Sequence, residues 1–111
     1  MNLNRRNYPP DMGIRLPAEE MKALTVRLFE AVGMPVGDAE VLGHILNIND
    51  RRCLFSHGTR QVPYYLQKIK DGDVNPSPNI SVVSEAPGAL VMDGDGGLGY
   101  FPCYEGTKRI I

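Results

Sequence analysis

Apolar residues recur at helical spacing through the first two thirds of the chain, then give way to short β-like runs separated by proline and glycine. Met21, Leu24, Leu28, Phe29 and Val32 fall along one side of a 3.6-residue period and predict a first helix. Pro17 suits its first position, Glu19 and Glu20 suit the positive end of its dipole, and Gly33 followed by Pro35 ends it. Val41, Leu42, Ile45, Leu46 and Ile48 predict a second helix over about Asp38 to Asp50, whose stripe can face that of the first. His44 lies inside that apolar helix and reads as a core or interface histidine rather than a ligand.

After a break at Cys53 to Phe55, Val62, Tyr65, Leu66 and Ile69 share one side of a third helix spanning Gly58 to Lys70, closed by Asp71-Gly72-Asp73. Asn75-Pro76-Ser77-Pro78 cannot continue a helix. Ile80 to Ser84 and Ala89 to Met92 then predict two short strands paired as a hairpin around Pro87-Gly88. Beyond the glycine-rich Asp93 to Gly99, Pro102 opens a fourth helix with Tyr104 and Ile111 on its apolar face. That helix is still amphipathic at Ile110-Ile111 with no polar cap after it, which reads as a truncation point. Residues 1–16 are polar and proline-bearing and predict a flexible arm, leaving residues 17–111 as the ordered part. The expected fold class is α+β: an N-terminal helical layer followed by the first strands of an incomplete sheet.

Composition narrows the partners more than the chemistry. With 12 basic and 13 acidic residues among 111, the formal charge of -1 offers no long-range field for nucleic acid or an anionic membrane surface. The two cysteines, Cys53 and Cys103, lie far apart without a C-x-x-C or histidine-rich neighbourhood. They imply neither a disulfide framework nor a metal site, and a reducing, cytoplasmic setting is expected. The first residues lack the apolar stretch of a signal peptide. No run approaches the roughly 20 apolar residues that span a bilayer.

Three features carry chemistry: Ser56-His57-Gly58, the basic and aromatic residues around it, and the loop Asp93 to Gly99. Ser56 stands where a helix N-cap is wanted, so one reading is purely structural. The other uses the same position, because a helix N-terminus offers free N–H donors to an anion such as a substrate carboxylate. His57 can exchange a hydroxyl proton while hydride leaves the adjacent carbon, as oxidation of a secondary alcohol requires, although an isolated histidine more often caps, packs or sits in solvent. Gly94-Asp95-Gly96-Gly97-Leu98-Gly99 spells G-x-G-x-x-G after a predicted strand. The three helices before it are not the start of a βαβ unit, and tight turns at positive φ explain the glycines. A calcium loop fits less well, since Tyr104 stands where its bidentate glutamate belongs.

The series Asp50-Arg51-Arg52, Ser56-His57-Gly58, Val62-Pro63-Tyr64-Tyr65-Leu66, Gly72, Asn75-Pro76, Val82-Val83 and Val91 to Gly99 resembles the type-2 malate/L-lactate dehydrogenase family over Pro17 to Ile111. That family also includes ureidoglycolate and sulfolactate dehydrogenases and cyclic imine reductases. The resemblance implies a homodimeric oxidoreductase with a non-Rossmann dehydrogenase fold, moving hydride between NAD or NADP and a small 2-hydroxy (or 2-imino) acid such as malate or lactate. It implies that His57 donates or accepts the substrate proton, that Ser56 supports it, and that Tyr65 borders the substrate. Most cofactor-binding residues of the family lie beyond the stretch matched here.

The sequence also departs from the family pattern. Gln61, with Arg60 beside it, replaces the usual arginine four residues after the histidine, where a paired contact with the substrate carboxylate is made. Cys53 replaces the usual glycine after the basic residues, and Phe55 replaces an acidic residue before the serine. The competing reading is a non-catalytic oligomerisation or interaction module derived from such an enzyme.

Overall fold

The computed structural model describes residues 14–111, so most of the expected N-terminal arm lies outside the described residues. Four helices and one hairpin follow in the order α1 (Ala18–Glu30), α2 (Val36–Arg51), α3 (Val62–Lys70), β1 (Ser81–Ala86), β2 (Ala89–Asp93) and α4 (Tyr100–Ile110). Two 3-10 turns, Phe55–His57 and Thr59–Gln61, fill the gap between α2 and α3. The expected α+β class therefore holds, with a helical layer preceding a two-stranded antiparallel sheet.

Helices α1 and α2 pack against each other around Phe29, Ala39, Leu42 and Leu46, all fully buried. Their close approach depends on Gly43, where an added Cβ would lie 2.9 Å from Val26 Cγ2. A buried polar link reinforces the pair: Asn47 Nδ2 donates to the Ala18 carbonyl at 2.5 Å, tying α2 to the first turn of α1. That bond satisfies a carbonyl or amide whose burial without a partner would cost about 1–3 kcal/mol. Val62 and Ile69 of α3, then Leu98 and Phe101 around the start of α4, complete one continuous core. The α1 stripe is only partly used, since Leu24 and Leu28 remain partly exposed.

Some expectations need correction. Helix α3 begins at Val62, not Gly58, because Gly58 takes an extended conformation (φ -99°, ψ -152°) that interrupts the helical path. His44 is exposed on α2, not in the core, as the buried side of that helix runs through Ala39, Leu42, Gly43, Leu46 and Asn47. Helix α4 starts at Tyr100, and Phe101 is the side chain it buries, while Tyr104 and Ile111 are exposed.

The hairpin pairs Ser81 with Asp93, Val82 with Met92, Ser84 with Val91, Glu85 with Leu90 and Ala86 with Ala89. The register shifts between Val82 and Ser84, so Val83 is the bulged residue. Pro87-Gly88 closes it as expected, with Gly88 at φ 78°. Among the described residues, no helix is long and apolar enough to cross a membrane.

Candidate active site

The segment from Asn49 to Gln61 is built around one close approach. A Cβ on Gly58 would fall 1.7 Å from Asp50 Oδ1, so only glycine lets the chain pass the end of α2 this closely. Asp50 uses that proximity. Its carboxylate accepts from the Thr59 backbone N–H at 3.1 and 3.3 Å and from the Thr59 hydroxyl. Asn49 Nδ2 donates to the His57 carbonyl at 2.9 Å, and Gln61 Nε2 donates to the Ser56 carbonyl at 2.6 Å. The Ser56-His57-Gly58 turn is thus held on both sides by side chains from α2 and from the turn that leads into α3.

Within that frame Ser56 Oγ lies 2.9 Å from His57 Nδ1. This is a correction to the capping expectation: the Ser56 hydroxyl pairs with the neighbouring imidazole, and no side-chain cap bond is made at either 3-10 turn or at α3. With His57 closing a 3-10 turn five residues before the helix, the anion-binding argument from a helix N-terminus loses its geometric basis. What the turn provides instead is an exposed imidazole with one ring nitrogen engaged by a hydroxyl. Among the described residues, the other ring nitrogen, Nε2, makes no hydrogen bond.

Arg60 is exposed, and among the described residues its guanidinium makes no ion pair. Gln61 is half-buried with its amide committed to Ser56. Tyr65, half-buried on α3, meets Tyr100 of α4: their hydroxyls lie 3.1 Å apart and their rings stand edge to face at 6.1 Å. Burial first, then the bond to Tyr100, pushes the Tyr65 phenol above the ordinary tyrosine range. Cys53 adopts φ 59°, the left-handed region that favours glycine, at the position where the family pattern has one.

The loop after β2 is filled by its own chain. Asp95, itself at φ 49°, accepts from the Asn79 backbone N–H at 2.9 Å and from Asn75 Nδ2 at 3.1 Å. A Cβ on Gly97 would meet Pro78 Cγ at 2.5 Å, so this glycine makes room for the Asn75-Pro78 segment. The strand before it belongs to an antiparallel hairpin and not to a βαβ unit. The residues present therefore do not form a dinucleotide cradle at this loop. Among the described residues, no group of three or more histidine, cysteine or acidic side chains could hold a metal.

Sequence reasoning singled out Ser56, His57, Arg60, Gln61 and Tyr65. It gave no role to Asn49, Thr59 or Tyr100, and it quoted Asp50 only as part of a motif. Their links span 8, 9 and 35 residues, beyond the reach of local spacing. The one available signal was the glycine after His57, a mark of close backbone approach.

Comparison with known proteins identifies the same stretch. The family model described as malate/L-lactate dehydrogenase matches residues 16–111. Malate dehydrogenase of Pyrococcus horikoshii is 33% identical over 106 residues, covering 96% of this chain and 29% of the relative. L-sulfolactate dehydrogenase of Methanocaldococcus jannaschii is 36% identical over 84 residues, covering 76% of this chain and 24% of the relative. The solved structure of the Pyrococcus horikoshii malate dehydrogenase superposes with a TM-score of 0.84 at 34% identity, covering 91% of this chain and 29% of that one. A piperideine-2-carboxylate reductase from Pseudomonas syringae shares the fold at a TM-score of 0.80 and 19% identity. The chain spans 29% of the length of the first curated relatives it matches.

Proposed function

The chain belongs to the malate/L-lactate dehydrogenase family, and from that premise we propose that it carries the proton-exchanging site of an oxidoreductase acting on a small 2-hydroxy (or 2-imino) acid such as malate or lactate. The observation that supports this reading is the 2.9 Å pairing of Ser56 Oγ with Nδ1 of an exposed His57. Both curated relatives named above are called dehydrogenases, which favours catalysis over the interaction-module reading.

The pairing serves both directions of the reaction. When Nδ1 carries the hydrogen and donates to Ser56, Nε2 is an open acceptor, and it takes the hydroxyl proton as the carbinol carbon loses hydride and the C=O bond forms. In the reverse direction the imidazolium so formed, its Nδ1–H still donated to Ser56, returns the Nε2 proton to the oxygen of the 2-oxo acid as the carbon gains hydride. A nicotinamide, as NAD or NADP, supplies the hydride acceptor or donor when bound. In this reading Arg60 and Tyr65 face the substrate, Gln61 between them braces the turn through the Ser56 carbonyl, and His57 and Ser56 are the catalytic pair. A homodimer and a cytoplasmic location complete the proposal.

The experiment is a reduction panel. The purified protein, as its gene encodes it, is mixed with NADH or NADPH and with pyruvate, oxaloacetate or 3-sulfopyruvate. Loss of nicotinamide absorbance with at least one 2-oxo acid is expected. No turnover with any pairing of cofactor and acid contradicts the reading.

A further inference from the structure

We infer that Gln61 is a positioning residue that fixes the Ser56-His57 turn, and that the substrate carboxylate is met by Arg60 in its place. This inference rests on the functional reading above and divides the labour between two neighbouring residues.

The Ser56 carbonyl can only accept, so the Gln61 atom 2.6 Å from it is the amide nitrogen, and one of its two N–H donors is spent. The amide is neutral and half-buried, and its remaining oxygen repels a carboxylate. Turning the amide toward a substrate would leave the Ser56 carbonyl without this partner and release the residue whose hydroxyl touches the catalytic imidazole. Arg60 has the opposite profile. Its guanidinium is exposed, carries a full charge and five donors, and is unpaired with any carboxylate among the described residues. It sits in the same 3-10 turn as Gln61, two residues after Gly58.

The structure also explains why the exchange of roles is self-consistent. His57 has its carbonyl held by Asn49, Thr59 is held by Asp50, and Ser56 is held by Gln61, so each consecutive part of the turn has a side-chain anchor. An arginine at position 61 that reached for substrate would leave the Ser56 anchor unmade. In this chain the anchor is made and the charge stands one residue earlier.

The test compares Arg60→Ala with Gln61→Ala and Gln61→Glu in the purified protein as its gene encodes it. Arg60→Ala is expected to raise KM for the 2-hydroxy acid about 10- to 100-fold, the loss of a charge-assisted contact, with kcat within about twofold. Both Gln61 variants are expected to lower kcat and displace its pH profile, since glutamate cannot donate to Ser56, while KM stays within about threefold. Gln61→Ala should also speed amide hydrogen exchange at Ser56, His57 and Gly58, which Arg60→Ala should not. A KM rise in Gln61→Ala with none in Arg60→Ala, or equal KM rises in both, overturns the assignment. If the wild-type protein turns over no 2-hydroxy acid, the functional reading falls and the carboxylate role with it. Amide exchange then still decides whether Gln61 holds the turn: unchanged rates in Gln61→Ala refute it.

Discussion

Gly58 is where local chemistry and backbone geometry meet most tightly. A methyl group there would collide with the Asp50 carboxylate, and the collision cannot be relieved without breaking the Thr59 anchor. Gly58→Ala is therefore expected to destabilise the protein by about 1–3 kcal/mol, the usual range for overpacking. Removing the obstacle should recover part of that loss, so Asp50→Ala combined with Gly58→Ala should cost less than the two single changes added together. Denaturant unfolding of the four proteins measures the coupling; strict additivity would show that the two residues do not meet. The importance of the Ser-His-Gly run was legible in the sequence, but its architecture was not. Ser56 is a common capping residue, and nothing in its spacing reveals that its hydroxyl turns to the next imidazole instead.

At the scale of elements, the periodic stripes located α1, α2 and α3 to within a few residues, and Pro87-Gly88 located the hairpin. Errors arose where a non-local contact decided the outcome. The start of α3 moved to Val62 because Gly58 is drawn out by Asp50, a residue on another helix. The buried face of α4 runs through Phe101 because the core available to it lies beside Leu98, not beneath Tyr104. The pairing of α1 with α2 has its own polar determinant in Asn47. Asn47→Leu keeps the branched outline of the side chain but leaves the Ala18 carbonyl without its partner, and is expected to cost about 1–3 kcal/mol. Thermal or urea unfolding checks this, and an unchanged midpoint would mean the bond contributes nothing to the α1–α2 interface.

A further element-level consequence follows from the Tyr65–Tyr100 contact, which joins α3 to α4. The Tyr65 phenol is held above its ordinary value, so the folded state favours the neutral form more than the unfolded chain does. That contribution is fully present below about pH 10, the unfolded tyrosine value, and is lost as pH rises from there toward the folded value. Unfolding free energy should therefore fall above about pH 10 in the wild type and fall less steeply in Tyr65→Phe. Parallel pH profiles for the two proteins would contradict the assigned environment.

For the whole molecule, one core runs from α1 through the start of α4, while the hairpin contributes little to it and leaves Val83 and Val91 exposed. The α+β class and the family were legible because they rest on many residues spread along the chain. The side-chain anchors of the Ser56-His57-Gly58 turn rest on single contacts that no spacing rule reveals. The proposed turnover would integrate all of this, since it would require the turn, the substrate contacts and the hydride partner together. The most direct test of the proposed role of His57 is kcat of His57→Ala against wild type across pH 5 to 9, at saturating substrate and nicotinamide. A fall of about 10²- to 10⁴-fold is expected, the range supplied by a positioned general acid or base. Wild-type turnover across that range would contradict proton exchange at His57.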